Sequence, residues 1–133
     1  YDPFYKNESL AKPLSIDEFL ATCEIISIHV PKVKETTGLV DAHFLSKCKK
    51  GVLIVNAARG GIVNEQDMAA ALESGKVSFY CSDVFEVEPV EKTNPLLGNP
   101  KFFGCPHIGA ATEESTFRVG EMVVSIIKEF STT

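Results

Sequence analysis

Gly51 to Ala58 (GVLIVNAA) and Glu24 to Val30 (EIISIHV) are nearly continuous in Ile, Val and Leu. A strand with one wet face alternates apolar and polar residues, so runs this unbroken predict strands covered on both faces, as in a parallel sheet. Two further β-rich runs follow, Ser78 to Phe85 (SFYCSDVF) and Lys101 to His107 (KFFGCPH). Helical patterns lie between them. Ser15-Ile16-Asp17-Glu18 is a capping-box pattern opening a short helix through Thr22. Asp41 starts a second helix that ends in lysines. Asn64 can cap a third that holds Met68, Ala69, Ala70, Ala71 and Leu72, with Gly75 placed to end it. Thr112, followed by Glu113 and Glu114, caps a long last helix with Phe117, Met122, Val123, Ile126, Ile127 and Phe130 on one apolar face. Strands alternating with helices imply right-handed βαβ units. The expected fold is α/β, a partial, Rossmann-like, doubly wound parallel sheet of about four strands with helices over both faces.

Composition narrows the function classes. The 133 residues are 44% hydrophobic, enough for a core, and residues 1–133 read as one unit. The net charge of -5 has its signs mixed along the chain, which argues against nucleic-acid binding, because phosphate contacts need clustered Lys and Arg. Lys47 to Lys50 is the basic cluster, and it reads as a solvated helix end. Cys23, Cys48, Cys81 and Cys105 are scattered without a C-x-x-C pair, so reduced thiols and no metal site are expected, with Cys23, Cys81 and Cys105 in apolar runs and therefore in the core. No apolar stretch approaches the roughly 18 residues of a membrane span, and Tyr1-Asp2-Pro3-Phe4 lacks signal-peptide form. A cytoplasmic protein with no membrane partner is the expectation.

In open parallel sheets, ligands bind beyond the carboxyl ends of the strands. The residues found there are Asp2, His29, Arg59, Asp83 and His107. A core does not require a cation, carboxylates and imidazoles on one edge, since isolated charges are not buried cheaply; a shared cleft accounts for them. The loop from Glu86 to Pro100 carries Pro89, Pro95 and Pro100 and is long for a connection, and such stiffened loops are often functional. Glu88 within it lies close enough to the preceding strand to point back over that edge.

Three segments carry a resemblance. Asn56-Ala57-Ala58-Arg59-Gly60-Gly61-Ile62-Val63, Asp83-Val84-Phe85-Glu86-Val87-Glu88-Pro89 and Pro106-His107-Ile108-Gly109-Ala110-Ala111-Thr112 are similar, in order and spacing, to the signatures of the D-2-hydroxyacid dehydrogenase family. His29-Val30-Pro31, with Glu35-Thr36-Thr37-Gly38-Leu39 after it, resembles a fourth. The likeness covers nearly the whole chain, and within the family it is nearest to phosphoglycerate dehydrogenases.

The resemblance implies an oxidoreductase that moves a hydride between NAD and a small 2-hydroxy or 2-keto acid, 3-phosphoglycerate being a candidate. Such chemistry needs a base, a carboxylate anchor and a bound cofactor. It assigns His107 as the acid/base, Glu88 as the carboxylate that fixes the imidazole tautomer and favours its protonated form, and Arg59 as the fork that grips the substrate carboxylate. Glu86 is a rival to Glu88, but the residue directly before Pro89 matches the family pattern. For NAD, the resemblance places Asp2 at the ribose hydroxyls, where an acid also repels the extra phosphate of NADP; a turn-forming Asp before Pro3 is the alternative. It sets Val30 and Pro31 beside the adenosine, and Ala57, Ala58, Arg59, Asp83, His107, Gly109 and Ala110 toward the nicotinamide. Asp83 reads equally as a tie for its strand end, and Gly109 as turn chemistry. Homodimerisation is implied by the family alone.

Two family features are missing from residues 1–133. There is no G-x-G-x-x-G turn to cradle a pyrophosphate, and no separate substrate domain. The chain therefore reads as the C-terminal part of an NAD-binding domain, a fragment expected to turn over little substrate alone. An NAD-sensing binding protein, as the resembling C-terminal-binding corepressors are, and a noncatalytic assembly fragment remain the alternatives. Formate-oxidising relatives have an amide where Glu88 stands.

Overall fold

The computed structural model describes residues 1–4 and 12–131. Its elements run α1 (Ile16–Thr22), β1 (Ile25–Ile28), α2 (Ala42–Lys47), β2 (Val52–Asn56), α3 (Glu65–Glu73), β3 (Val77–Ser82), β4 (Phe102–Gly104) and α4 (Glu113–Ser131). The strands form one sheet in the order β1-β2-β3-β4, and every neighbouring pair is parallel.

Local chemistry sets the helix starts. Glu18 N donates to Ser15 Oγ while Ser15 N donates to Glu18 Oε2, a complete capping box that satisfies two otherwise orphaned groups. Asp41 Oδ1 accepts from Phe44 N, Asn64 Oδ1 from Asp67 N, and Thr112 Oγ1 from Ser115 N. Gly75 leaves α3 with φ +72°, a conformation that L side chains rarely adopt. The strands are shorter than the apolar runs that announce them. β4 stops at Gly104, two residues before Pro106, which has no N–H to give a ladder.

Alternation along the strands puts Ile26, Ile28, Ile54, Asn56, Tyr80 and Ser82 on one buried face. There the sheet meets Leu20 of α1, Leu45 of α2, Met68 and Leu72 of α3, and Leu96, in one continuous core. The helices contact one another in series, α1 with α2 and α2 with α3, so they lie side by side over this face. The opposite face holds Ile25, Leu53 and Phe79 in one cross-strand row and Val55, Cys81 and Phe103 in the next. Ile25 is 66% exposed and Phe103 59%. The expectation of helices over both faces is thus corrected: the parallel sheet with flanking helices stands, but the cover lies on one side. Apolar composition records a face that is suited to burial, not which layer lies on it. α4 does not supply that layer, for none of its residues is buried and its apolar stripe from Phe117 to Phe130 is exposed.

The cysteine expectation is also corrected. Cys48 is the buried one, closing α2 over the core, whereas Cys23, Cys81 and Cys105 are half-buried. Cys81 alternates onto the open face, which is why an apolar run did not hide it. The lysine cluster is solvated, with Lys47 bridging to Asp17 at 3.0 Å and Lys49 to Glu24 at 2.6 Å, exposed pairs of modest worth. Among the described residues no helix is long and apolar enough to cross a membrane, and no group of three His, Cys, Asp or Glu could hold a metal ion.

Candidate functional site

The parallel strands end side by side, and the residues that follow them build the site. At the end of β2, Asn56 is 1% exposed. Its Nδ2 donates to the carbonyl of Arg59 at 3.1 Å and its Oδ1 accepts from Ala58 N at 3.1 Å, so one buried amide folds Ala57-Ala58-Arg59 into a turn. Gly60 continues this turn against the next strand's exit. A Cβ on Gly60 would lie 1.7 Å from the carbonyl oxygen of Phe85, so no side chain fits. That contact puts the arginine turn beside the loop that carries Glu88. The guanidinium of Arg59 is exposed and donates from Nη1 to the carbonyl of Ala58 at 2.6 Å.

The imidazole of His107 meets Glu88. Nδ1 of His107 and Oε2 of Glu88 are 2.8 Å apart, and since a carboxylate only accepts, Nδ1 is the donor and Nε2 is left for exchange with a ligand. The other oxygen of Glu88 accepts from Phe85 N at 2.9 Å. The bond from His107, then that from Phe85, hold the Glu88 carboxyl below the usual carboxylate range. Glu86, the rival, does not reach the histidine in this way; its N–H is bound instead by Glu65 Oε1.

His107 has φ +56°, in the left-handed region that a non-glycine residue occupies only when its surroundings impose it. Asp83, at the end of β3, supplies that constraint. Its Oδ1 accepts from Ile108 N at 2.9 Å and its Oδ2 from Gly109 N at 2.7 Å. These two bonds tie the histidine loop to the residue that follows β3. A Cβ on Gly109 would lie 2.7 Å from Asp83 Oδ2, so the close approach that Gly109 makes here is to that carboxylate. Ala110 follows in the exposed turn closed by Ala111 N donating to Ile108 O.

Beside this arrangement lies a cavity of roughly 510 Å³ lined by His29, Val30, Pro31, Lys32, Ala58 and Arg59. Val30 and Ala58 pack partly on the core, while Lys32 and Arg59 bring positive charge. Lys32 occupies space that Gly61 leaves open: its Nζ lies 2.7 Å from where a Gly61 Cβ would stand. Nε2 of His29 is held by Ser27 Oγ at 2.8 Å. Ala57, between the buried Asn56 and the half-buried Ala58, is exposed. Residues 1–4 form no strand. Asp2 Oδ1 accepts from Phe4 N at 2.8 Å, the turn geometry of an Asp before proline, and Asp2 does not line the cavity.

Sequence reasoning missed three supporting residues, Asn56, Glu65 and Ser82. A polar residue that ends an unbroken apolar strand, as Asn56 does, is a readable signal of a buried hydrogen bond. Ser82 ends β3 in the same manner, its hydroxyl reaching Val84 O at 2.7 Å. Nothing local marks Glu65, whose partners lie 21 and 29 residues away.

Comparison with known proteins gives a consistent pattern. The family model described as D-isomer specific 2-hydroxyacid dehydrogenase, NAD binding domain, matches residues 1–109. D-3-phosphoglycerate dehydrogenase of Archaeoglobus fulgidus is 41% identical over 131 residues, covering 96% of this chain and 25% of the relative. The Bacillus subtilis protein of the same name is 38% identical over 135 residues, covering 98% and 26%. The chain thus spans about a quarter of the length of these relatives. Among solved structures, an NAD-dependent formate dehydrogenase from Staphylococcus aureus in complex with NAD superposes with a TM-score of 0.85 at 34% identity, over 98% of this chain and 40% of that one. A glyoxylate reductase from Paecilomyes thermophila gives 0.81 at 37% identity, over 91% and 37%.

Proposed function

Because the chain belongs to the D-isomer specific 2-hydroxyacid dehydrogenase family, through its NAD binding domain, we propose that the complete protein transfers a hydride between NAD and a D-2-hydroxy acid or its 2-keto acid. Residues 1–133 then form the C-terminal part of its nucleotide domain. One observation carries this: His107 is bound at Nδ1 by Glu88 and keeps Nε2 for a ligand, beside the turn that presents Arg59.

Each residue has a separate task. Glu88 holds the imidazole in a single tautomer and stabilises its cationic form. His107 gives a proton from Nε2 to the substrate carbonyl oxygen during reduction and takes it back during oxidation. Arg59 exchanges its contact with the Ala58 carbonyl for a bidentate grip on the substrate carboxylate. Asp83 keeps the histidine loop in its left-handed geometry. The cavity is proposed to take part of the dinucleotide, with Val30 and Pro31 beside the adenosine and Ala58 and Arg59 toward the nicotinamide. Asp2, Ala57, Asp83, His107, Gly109 and Ala110 are the remaining proposed cofactor contacts. NAD bound there would supply the hydride acceptor for oxidation and, once reduced, the donor for the reverse reaction.

A phosphorylated hydroxy acid is the favoured substrate, supported by phosphoglycerate dehydrogenases 41% and 38% identical to this chain. Formate is disfavoured despite the structural likeness, since a carboxylate partner at Glu88 serves a histidine that must donate a proton. A homodimer in the cytoplasm follows from the family likeness. The test is to assay the complete protein with NADH against a panel of 2-keto acids, one of them phosphorylated, following nicotinamide absorbance. Reduction that is strongest with the phosphorylated acid supports the proposal. A folded protein that binds NADH and reduces none of them overturns it.

A further inference from the structure

Glu65 is the first residue of α3, yet both of its carboxylate oxygens are used outside the helix. Oε1 accepts from Glu86 N at 2.9 Å and Oε2 from Asn94 Nδ2 at 2.6 Å. These partners bracket the first half of the proline-containing loop, and Glu88 and Pro89 lie between them in sequence. Asn94 is itself fixed: its Oδ1 accepts from Leu96 N at 3.0 Å, and Leu96 is 1% exposed within the core. The loop is therefore pinned at Glu86 and again at Asn94 to the same side chain, which the helix start holds and its positive end favours. At the same helix start, Asp67 Oδ2 accepts from Ala42 N at 2.8 Å and ties in α2.

From this we infer that Glu65 is a positioning residue for the His107–Glu88 pair, holding the Glu88 loop so that its carboxylate meets the imidazole before any ligand arrives. The inference rests on the function proposed above. Glu65 touches no reacting group; its effect passes through Glu88. A loop free to drift by about 1 Å would lose this alignment, and displacements of that size can lower turnover by up to about a hundredfold.

The test uses the complete protein and two readouts. In turnover, Glu65→Ala is expected to lower kcat roughly tenfold and leave the KM for NADH unchanged. Glu65→Gln, which keeps an acceptor for Glu86 N but turns its NH2 toward the donor Nδ2 of Asn94, should recover only part of that loss. In a Glu88→Gln background, Glu65→Ala should add nothing further, because the group it positions is already gone. Asn94→Asp keeps the acceptor for Leu96 N but opposes two carboxylates, so it offers a second variant with the same expected pattern should Glu65→Ala fold poorly. The second readout needs no turnover. Titration of the Glu88 carboxyl by NMR should move up toward the ordinary carboxylate value in Glu65→Ala as its bond from His107 loosens. Additive losses with Glu88→Gln, or an unmoved Glu88 titration, would overturn the inference. Absence of keto-acid reduction by the unmutated protein would instead count against the proposed function, and the titration would still decide the role of Glu65.

Discussion

Gly60 lies against the carbonyl of Phe85 so closely that a Cβ on it would stand 1.7 Å from the oxygen and 2.4 Å from the carbon. Both contacts are backbone, which cannot swing aside as a side-chain tip can. The arginine turn after β2 and the loop after β3 thus approach as closely as backbone allows, and the placement of Arg59 beside the Glu88 loop requires a residue without a side chain at position 60. Gly60→Ala should destabilise the fold by about 2–3 kcal/mol, as overpacking does. It should also depress turnover, since Arg59 and Glu88 would be pushed apart. Thermal unfolding with parallel kinetics checks both effects; an unchanged Tm would show that the two segments part freely.

Asn56 should be intolerant of apolar replacement for a different reason. Asn56→Leu keeps most of the volume but leaves Ala58 N and Arg59 O without their buried partner, at a cost of about 1–3 kcal/mol. Chemical denaturation measures the loss. The KM for the keto acid should rise more than that for NADH, because the turn that presents Arg59 loosens.

The acid side of the pH profile follows from Glu88. Its folded pKa is lowered by the bond from His107 and then by that from Phe85 N, against the raising influence of desolvation and, more weakly, of the neighbouring Asp83. A lowered carboxylate contributes stability above its unfolded value and loses it as pH falls through the folded value. The Glu88–His107 contact should therefore persist throughout the neutral range and come apart only below the ordinary glutamate value of 4.5. His107→Ala should shift the Glu88 carboxyl titration upward in NMR. If the midpoint stays where it was, the bond has no part in holding it down.

Asp83→Asn removes one of two acceptors, and the amide NH2 that replaces it faces a backbone N–H. The histidine loop should relax from φ +56°, with kcat/KM lowered about tenfold or more for a stability loss of about 1 kcal/mol. Comparing kinetics with the unfolding curve distinguishes this from a general destabilisation, in which the two would fall together.

The 133 residues alone should bind NADH weakly and turn over little or no keto acid, because they contain no glycine-rich turn for the pyrophosphate. Appreciable hydride transfer by the purified chain would contradict this.

Much of this was legible in the sequence because it rests on local rules. Ser15, Asp41, Asn64 and Thr112 cap their helices as their residue types dictate, and strand ends align because crossover connections, helical after β1 and β2 and a long loop after β3, make the strands parallel. The pairing of Glu88 rather than Glu86 with His107 came from family likeness; neither spacing nor charge separates two glutamates that are two residues apart. The open sheet face escaped, since Ile25, Val55 and Phe103 are as apolar as residues that a layer does cover. Glu65 escaped because its bonds join segments that are distant in sequence.

The central claim is that Arg59, Glu88 and His107 act on one small anion. It is tested most directly by a crystal structure of the complete protein with NADH and oxamate, a keto-acid mimic that cannot be reduced. The oxamate carboxylate should lie in the fork of Arg59, its amide carbonyl within hydrogen-bond reach of His107 Nε2, with Glu88 still bound to Nδ1. Oxamate seated away from both Arg59 and His107, or a histidine turned from Glu88 in the complex, would contradict it.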